Sequence, residues 1–101
     1  WDVSKITDMN SLFENKRGFN SDISNWNVSN VNNMCYMFAH AREFNQNISL
    51  WDVYNVTNMS FMFTGSDFDL DISCWDVSNV NTYDYMFIFS GIKEEHKPKF
   101  K

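Results

Sequence analysis

The stretch that decides the fold is residues 26–50, WNVSNVNNMCYMFAHAREFNQNISL, because the rest of the chain repeats its pattern. Tryptophan stands at positions 1, 26, 51 and 75, so its spacing is 25, 25 and 24 residues. Apolar residues recur at fixed distances after each tryptophan: Val3, Val28, Val53 and Val77; Ile6, Val31, Val56 and Val80; Met9, Met34, Met59 and Tyr83; Leu12, Met37, Met62 and Met86; Phe13, Phe38, Phe63 and Phe87. The chain is therefore an array of four copies, 1–25, 26–50, 51–74 and 75–92, followed by a charged tail, 93–101.

Within a copy, two kinds of apolar spacing are present. Val31, Met34, Met37 and Phe38 stand at i, i+3, i+6 and i+7, which predicts one face of a short helix. In residues 44–49 the apolar residues are spaced for one side of a short strand, with Asn45, Asn47 and Ser49 on the opposite side. Each copy therefore reads as a strand, a turn at the tryptophan and a short helix.

A unit of about 25 residues cannot bury its own apolar face, so we expect the copies to stack into a shared interior. The period lies in the range of about 20 to 29 residues that is typical of leucine-rich repeats. The predicted fold is α/β: a leucine-rich-repeat-like solenoid of about four strand–turn–short-helix repeats. The alternative is a right-handed parallel β-helix, against which the helical spacing argues. The tryptophan, phenylalanine and methionine columns are predicted to form the interior.

The composition excludes several classes of protein. Three leucines and two alanines beside ten phenylalanines argue against a helix bundle, because Ala and Leu are the strong helix formers. No apolar run approaches the roughly 20 residues of a membrane-spanning helix. A net charge of -5 without a basic cluster before the tail argues against nucleic acid. With 14 asparagines but only 3 glycines and 1 proline, the chain is predicted to turn through Asn, Asp and Ser.

Four strings carry a specific resemblance: WDVSKITDMNSLF, FNSDISNWNVSNVNNMCYMF, FNQNISLWDVYNVTNMSFMF and DISCWDVSNVNTYDYMF. They are similar to the repeat of BspA-like leucine-rich-repeat surface proteins, a family common among mycoplasma lipoproteins and of largely unknown function. The resemblance covers residues 1 to about 92 and implies a leucine-rich-repeat-like fold, display on the cell surface, and binding or adhesion without catalysis. The last copy departs from the family pattern, since Tyr83 replaces methionine and no Phe-Asn-x-Asp-Ile-Ser segment follows.

Nine polar residues alternate with Ile23, Ile48 and Ile72 and are predicted to face away from the interior. We call them the polar face: Asn20, Asp22, Ser24, Asn45, Asn47, Ser49, Asp69, Asp71 and Ser73. In a horseshoe-shaped repeat protein the strands line the concave side, so this mildly acidic set is the candidate binding surface for a protein or glycan on a host or neighbouring cell. The alternative is that the polar face is only solvated.

No enzyme signature is present, because the two histidines stand in unrelated contexts and no zinc, triad or phosphate-loop motif occurs. We expect no cofactor, no metal and no membrane insertion, and two free, mostly buried thiols at Cys35 and Cys74. The first copy begins at its tryptophan, so we expect an apolar edge there that favours end-to-end self-association. Two alternatives to a surface binding module stay open: a spacer segment without a ligand, and an intracellular protein-interaction scaffold.

Overall fold

The computed structural model describes residues 2–100; Trp1, the first member of the tryptophan column, lies outside the described residues, as does Lys101. Within 2–100 the regular elements are one 3-10 helix, Glu94–His96, and three isolated parallel bridges. These bridges join Asp8 to Asn33, Asn33 to Asn58, and Asn58 to Thr82. No α-helix and no β-strand lies in this part of the chain. The predicted α/β leucine-rich-repeat-like solenoid is therefore wrong, and so is the alternative parallel β-helix.

The segment predicted to be helical folds instead as tight turns whose backbone bonds alternate between two partners. The N–H of Met37 donates to the carbonyl of Met34 at 3.2 Å, whereas the N–H of the next residue, Phe38, donates to Met62 of the following copy at 2.9 Å. An α-helix requires each N–H to donate to the fourth residue before it, which this alternation excludes. The same bonds, 2.8 to 3.0 Å long, join every pair of neighbouring copies: Met9, Ser11, Phe13 and Asn15 donate to Asn33, Cys35, Met37 and Ala39; Met34, Tyr36, Phe38 and His40 to Asn58, Ser60, Met62 and Thr64; Met59, Phe61, Phe63 and Gly65 to Thr82, Asp84, Met86 and Ile88.

Two positions in every copy have a left-handed backbone, which also excludes a helix. The φ angles are 55 to 67° at Ser11 and Asn15, Tyr36 and His40, Phe61 and Gly65, and Tyr85 and Phe89. A residue other than glycine costs about 1–2 kcal/mol in this conformation. That cost is similar to the net gain of about 0.5–1.5 kcal/mol from each hydrogen bond between copies.

Side-chain acceptors explain why the strand predicted over 44–49 is absent. The N–H of Asn45 donates to Oδ1 of Asn20 at 2.8 Å, and the N–H of Asp69 donates to Oδ1 of Asn45 at 3.2 Å. In a β-sheet these N–H groups would donate to backbone carbonyls. Here side-chain oxygens of the neighbouring copy replace those carbonyls, so the copies are in register without a sheet.

The predicted interior columns are confirmed in the two central copies. The Phe38 ring lies 5.6 Å from that of Phe13 and 5.4 Å from that of Phe63, in the neighbouring copies, and 4.1 Å from Phe44 in its own copy. Fully buried members of the columns are Val31, Met34, Met37, Phe38, Phe44, Val56, Met59, Met62, Phe63 and Phe68. The copies therefore share one continuous aromatic and methionine interior.

The tryptophan column is interior in the last two copies. Trp51 and Trp75 are buried, and their indole N–H groups donate to the carbonyls of Ile23 at 3.1 Å and Ile48 at 3.0 Å, which lie 28 and 27 residues earlier in the chain. A buried indole needs such an acceptor, so each tryptophan joins two layers as well as filling one. Trp26 is half-buried against the same core.

The tail covers the last copy. Ile92, the last residue of the fourth copy, is buried; in the tail, the Phe100 ring stacks on Tyr83 at 4.0 Å between ring centres, and Nζ of Lys97 lies 5.4 Å from the centre of the Phe87 ring. At the opposite end Leu12 and the half-buried rings of the first copy line an open apolar pocket. The expected end-to-end association concerns this edge and stays a prediction.

Candidate functional site

The polar face is built from three equivalent short segments, 20–24, 45–49 and 69–73, each placed by a buried isoleucine at its fourth residue. The isoleucines point to the interior, and the polar residues on either side of them are exposed or half-buried. The structure brings all nine predicted residues into corresponding positions of neighbouring copies. They do not form a strand face, because no strand is present in the described chain.

One column of the polar face is a continuous hydrogen-bonded ladder. Asn20 accepts from Asn45, Asn45 accepts from Asp69, and Oδ1 of Asp69 accepts from the N–H of Lys93 in the tail at 2.9 Å. The side-chain oxygens of this column therefore have a structural task. The ladder extends the repeat register into residues that the sequence pattern alone had assigned to a charged tail.

A second column consists of side chains that close tight turns. In each, the side-chain Oδ1 accepts from the N–H of the serine two residues later in the chain. Asp22 accepts from Ser24 at 2.9 Å, Asn47 from Ser49 at 3.0 Å, and Asp71 from Ser73 at 2.9 Å. The hydroxyl and the N–H of Ser24 lower the pKa of Asp22, and those of Ser73 lower the pKa of Asp71. Both carboxylates are exposed, and they keep their negative charge into mildly acidic solution.

The C-terminal end of the polar face combines a carboxylate with a histidine. Nδ1 of His96 lies 3.1 Å from Oδ1 of Asp69 and 3.0 Å from its carbonyl oxygen, and the N–H of Ile72 donates to the His96 carbonyl at 3.0 Å. The Lys93 N–H, and to a smaller extent His96, lower the pKa of Asp69. The tail thus takes the place that a further copy of the repeat would occupy next to the third copy.

A shallow pocket of about 360 Å³ lies on the polar face between the second and third copies. It is lined by Asn47, Ser49, Leu70, Asp71 and Cys74. The thiol of Cys74 is exposed and donates to the carbonyl of Ser49 at 3.3 Å. The pocket combines amide, hydroxyl and carboxylate groups with one apolar wall, which suits a hydroxyl-rich or cationic group of a partner.

The two cysteines are free thiols. The predicted burial is wrong for Cys74, because its position outside the isoleucine column places it on the surface. Cys35 is half-buried, and burial, with a smaller contribution from the charge of Glu14, raises the pKa of its thiol. The raised pKa of Cys35 disfavours the reactive thiolate form of this residue.

Two surface features were missed by the sequence analysis. The rings of Tyr36 and Phe61 stack at 4.7 Å between centres, and Tyr85 continues the column at 5.4 Å from Phe61. Asn15, Arg17, His40 and Arg42 line a polar pocket between the first and second copies. The signal for this pocket was in the repeat itself, since the third copy is one residue shorter between Phe63 and Phe68 than its predecessors are at the same place.

Residues 2–100 contain no group of three or more His, Cys, Asp or Glu side chains that could hold a metal ion. In the same part of the chain, no helix is long and apolar enough to cross a membrane.

Stacked units of 24 or 25 residues, joined by backbone bonds and side-chain ladders, define a repeat protein of thin layers. The chain belongs to the family described as Mycoplasma protein of unknown function, DUF285, whose family model matches residues 1–97. Comparisons with curated proteins and with solved structures found no match. The predicted kinship with a mycoplasma family is confirmed at this level.

Proposed function

We propose that the chain is a non-catalytic binding module of a bacterial surface protein, and that the polar face contacts a protein or glycan partner. The finer resemblance, to BspA-like surface proteins with their repeated Trp-Asp-Val and Phe-Asn segments, supports both the binding role and the location on the cell surface. Membership of a mycoplasma family agrees with that origin.

The observation that carries the proposal is the order of the polar face. Asp22, Asn47 and Asp71 occupy the same position in three stacked copies, and each is held by a hydrogen bond of 2.9 to 3.0 Å to the backbone. Side chains that are already ordered lose little conformational entropy when a partner binds. Asp22 and Asp71 supply two exposed carboxylates to this column, which favour partners with cationic or hydroxyl groups.

The test removes charge from the polar face without removing its turns. In the double variant Asp22→Asn and Asp71→Asn, the amide oxygens still accept from Ser24 and Ser73, so the fold is retained. The probes are immobilised matrix proteins and glycans, screened first with the unchanged chain. We expect the affinity for the probes that bind it to fall by roughly tenfold in the double variant.

The matched control is Asp2→Asn with Asp52→Asn, which removes two carboxylates from the same kind of turn outside the polar face. We expect the control to bind as the unchanged chain does. Equal losses of affinity in the two double variants would mean that the net charge of the chain, and not the polar face, causes the effect. Unchanged binding in both would contradict the polar face as the contact surface. If no probe binds the unchanged chain, the result favours a spacer without a ligand.

A further inference from the structure

A polar pocket of about 340 Å³ lies where the first two copies differ in length from the last two. Between the column of Phe13 and the column of Phe19 the first two copies have five residues, 14–18 and 39–43; the last two have four, 64–67 and 88–91. The pocket is lined by Asn15, Arg17, His40 and Arg42, all of them exposed. The longer segments therefore place two arginines at the same position of adjacent copies.

Backbone bonds hold these two segments side by side. The N–H of Asn15 donates to the carbonyl of Ala39 at 2.8 Å, and the N–H of Glu43 donates to the carbonyl of Arg17 at 3.0 Å. The first bond sets Asn15 beside His40, and the second sets Arg17 beside Arg42. The pocket is thus part of the stack of copies, because its register is the register of the repeat.

The third copy positions the imidazole of His40. A β-carbon on Gly65 would lie 2.8 Å from Cε1 of the His40 ring, which is closer than van der Waals contact allows. The ring therefore occupies the space that any other residue at position 65 would fill. Because Gly65 also has a left-handed backbone, with φ of 67°, glycine suits this position for two independent reasons.

The arginines of the pocket have no carboxylate partner. The ion pairs within 2–100 are His96 with Asp69 and Lys97 with Glu94, both far along the chain. Arg17 and Arg42 form none, although the chain has a net charge of -5 and Glu43 directly follows Arg42. Two unpaired guanidinium groups beside each other in an acidic protein repel unless an anion lies between them.

We propose that this pocket binds a tetrahedral oxyanion, a sulfate or phosphate ester group. Its lining consists of two guanidinium forks, an imidazole and a side-chain amide, all of which donate hydrogen bonds, and it includes no carboxylate. Arginine forks match the geometry of such oxygens with two parallel bonds. The volume is near the lower end of ligand pockets, about 300 to 1,000 Å³, which suits a small charged group and its carrier. The site shares no residue with the polar face and is independent of the function proposed for it.

The test is an amide NMR titration of the whole chain with sodium sulfate at constant ionic strength, set by sodium chloride. We expect saturable shifts at the four lining residues. Arg17→Gln and Arg42→Gln are each expected to weaken sulfate binding by roughly tenfold, because each removes one fork. Lys5→Gln makes the same change in net charge at an exposed position outside the pocket, and it should bind sulfate as the unchanged chain does. Shifts that do not saturate, or an equal loss in the lysine variant, would overturn the proposal.

Two further measurements distinguish an effect on sulfate binding at the pocket from an effect on folding. Glu43→Gln removes the carboxylate beside Arg42, so it should tighten sulfate binding and leave the melting temperature unchanged; weaker binding would count against the site. Glucose 6-sulfate and glucose 6-phosphate are expected to bind at least roughly tenfold more tightly than glucose. Whichever of the two binds more tightly identifies the ester group that the pocket prefers. Equal binding of all three sugars would overturn the assignment.

Discussion

The central and outer copies place the same residues in different surroundings. In the central copies Phe38 and Phe63 are fully buried, whereas Phe13 and Phe87, in the same column of the outer copies, are half-buried. A central layer is covered on both faces by neighbouring copies, and an outer layer is covered by a copy on only one. Burial in this molecule is therefore a property of the position in the stack, and most of the stabilising apolar area lies within 26–74.

The largest expected effect tests this difference directly. Phe38→Ala should lower the free energy of unfolding by about 3–5 kcal/mol, because the ring stacks on Phe13, Phe44 and Phe63 and leaves a cavity between two layers. Phe13→Ala, in the same column of the first copy, should cost clearly less, since water can enter its half-open site. Urea denaturation measures both. Equal losses would contradict the distinction between central and outer copies.

A smaller effect is expected at Gly65, where the absence of a side chain lets the His40 ring of the preceding copy pack against the backbone. Gly65→Ala should destabilise the protein by about 2 kcal/mol, because it adds a left-handed alanine and a clash with the His40 ring. Asn15→Gly and Asn15→Ala compare glycine with alanine at a left-handed position that has no such ring above it, so the difference between these two variants isolates the backbone part. In the Gly65→Ala background, His40→Ala, which removes the ring but keeps a β-carbon at this left-handed position, should restore part of the melting temperature. No restoration would show that the ring contact is unimportant.

An asparagine column offers a third comparison between central and outer copies. Nδ2 of Asn55 donates to the carbonyl of Ser29 in the preceding copy at 2.7 Å. In the same way Asn30 donates to Ser4 and Asn79 donates to Tyr54, both at 2.8 Å. Asn55→Ala should cost about 0.5–1.5 kcal/mol. Lys5 holds this position in the first copy and forms no such bond, so Lys5→Ala should leave thermal melting nearly unchanged. A matching loss at Lys5 would refute the bond as the cause.

The smallest effect concerns the end of the ladder, where a carboxylate takes the place of an amide. The pKa of Asp69 is lowered by the N–H of Lys93 and by His96, so its folded pKa lies below its unfolded pKa. Asp69 therefore contributes to stability when the pH is above its unfolded pKa, and this contribution is lost as the pH falls through its folded pKa. Asp69→Asn keeps the acceptor, so the melting temperature should depend less on pH below about pH 5. An unchanged slope would exclude Asp69 as a source of acid sensitivity.

The repeat and its interior could be predicted because they depend on side chains that recur at a fixed spacing. Phe38, Met59 and Trp51 are buried as their columns require. The local structure could not be predicted, since the spacing of Val31, Met34, Met37 and Phe38 suits a helix and also suits tight turns. Nothing in the aromatic residue Tyr36 announces a left-handed backbone, which glycine or asparagine would normally signal.

The candidate surfaces were also predictable only in part. The alternation around Ile48 was enough to predict that Asn47 and Ser49 face away from the interior. It did not reveal that Asn45 uses its side chain to bond the next copy. The pocket of Arg17 and Arg42 was missed because the two arginines are 25 residues apart, and only stacking makes them neighbours.

The sequence by itself determined the number of copies, their register, the interior columns and the kinship, because each follows from matching positions along the chain. Tertiary structure decided the path of the backbone within each copy. Every second N–H of the turn segment donates to the neighbouring copy. The side-chain oxygen of Asn20 accepts from the N–H of Asn45 in the following copy, where a sheet would use a backbone carbonyl. Bonds between copies therefore decide the path of the backbone, and the pattern of one copy does not reveal them, since an isolated segment has no neighbour to accept them.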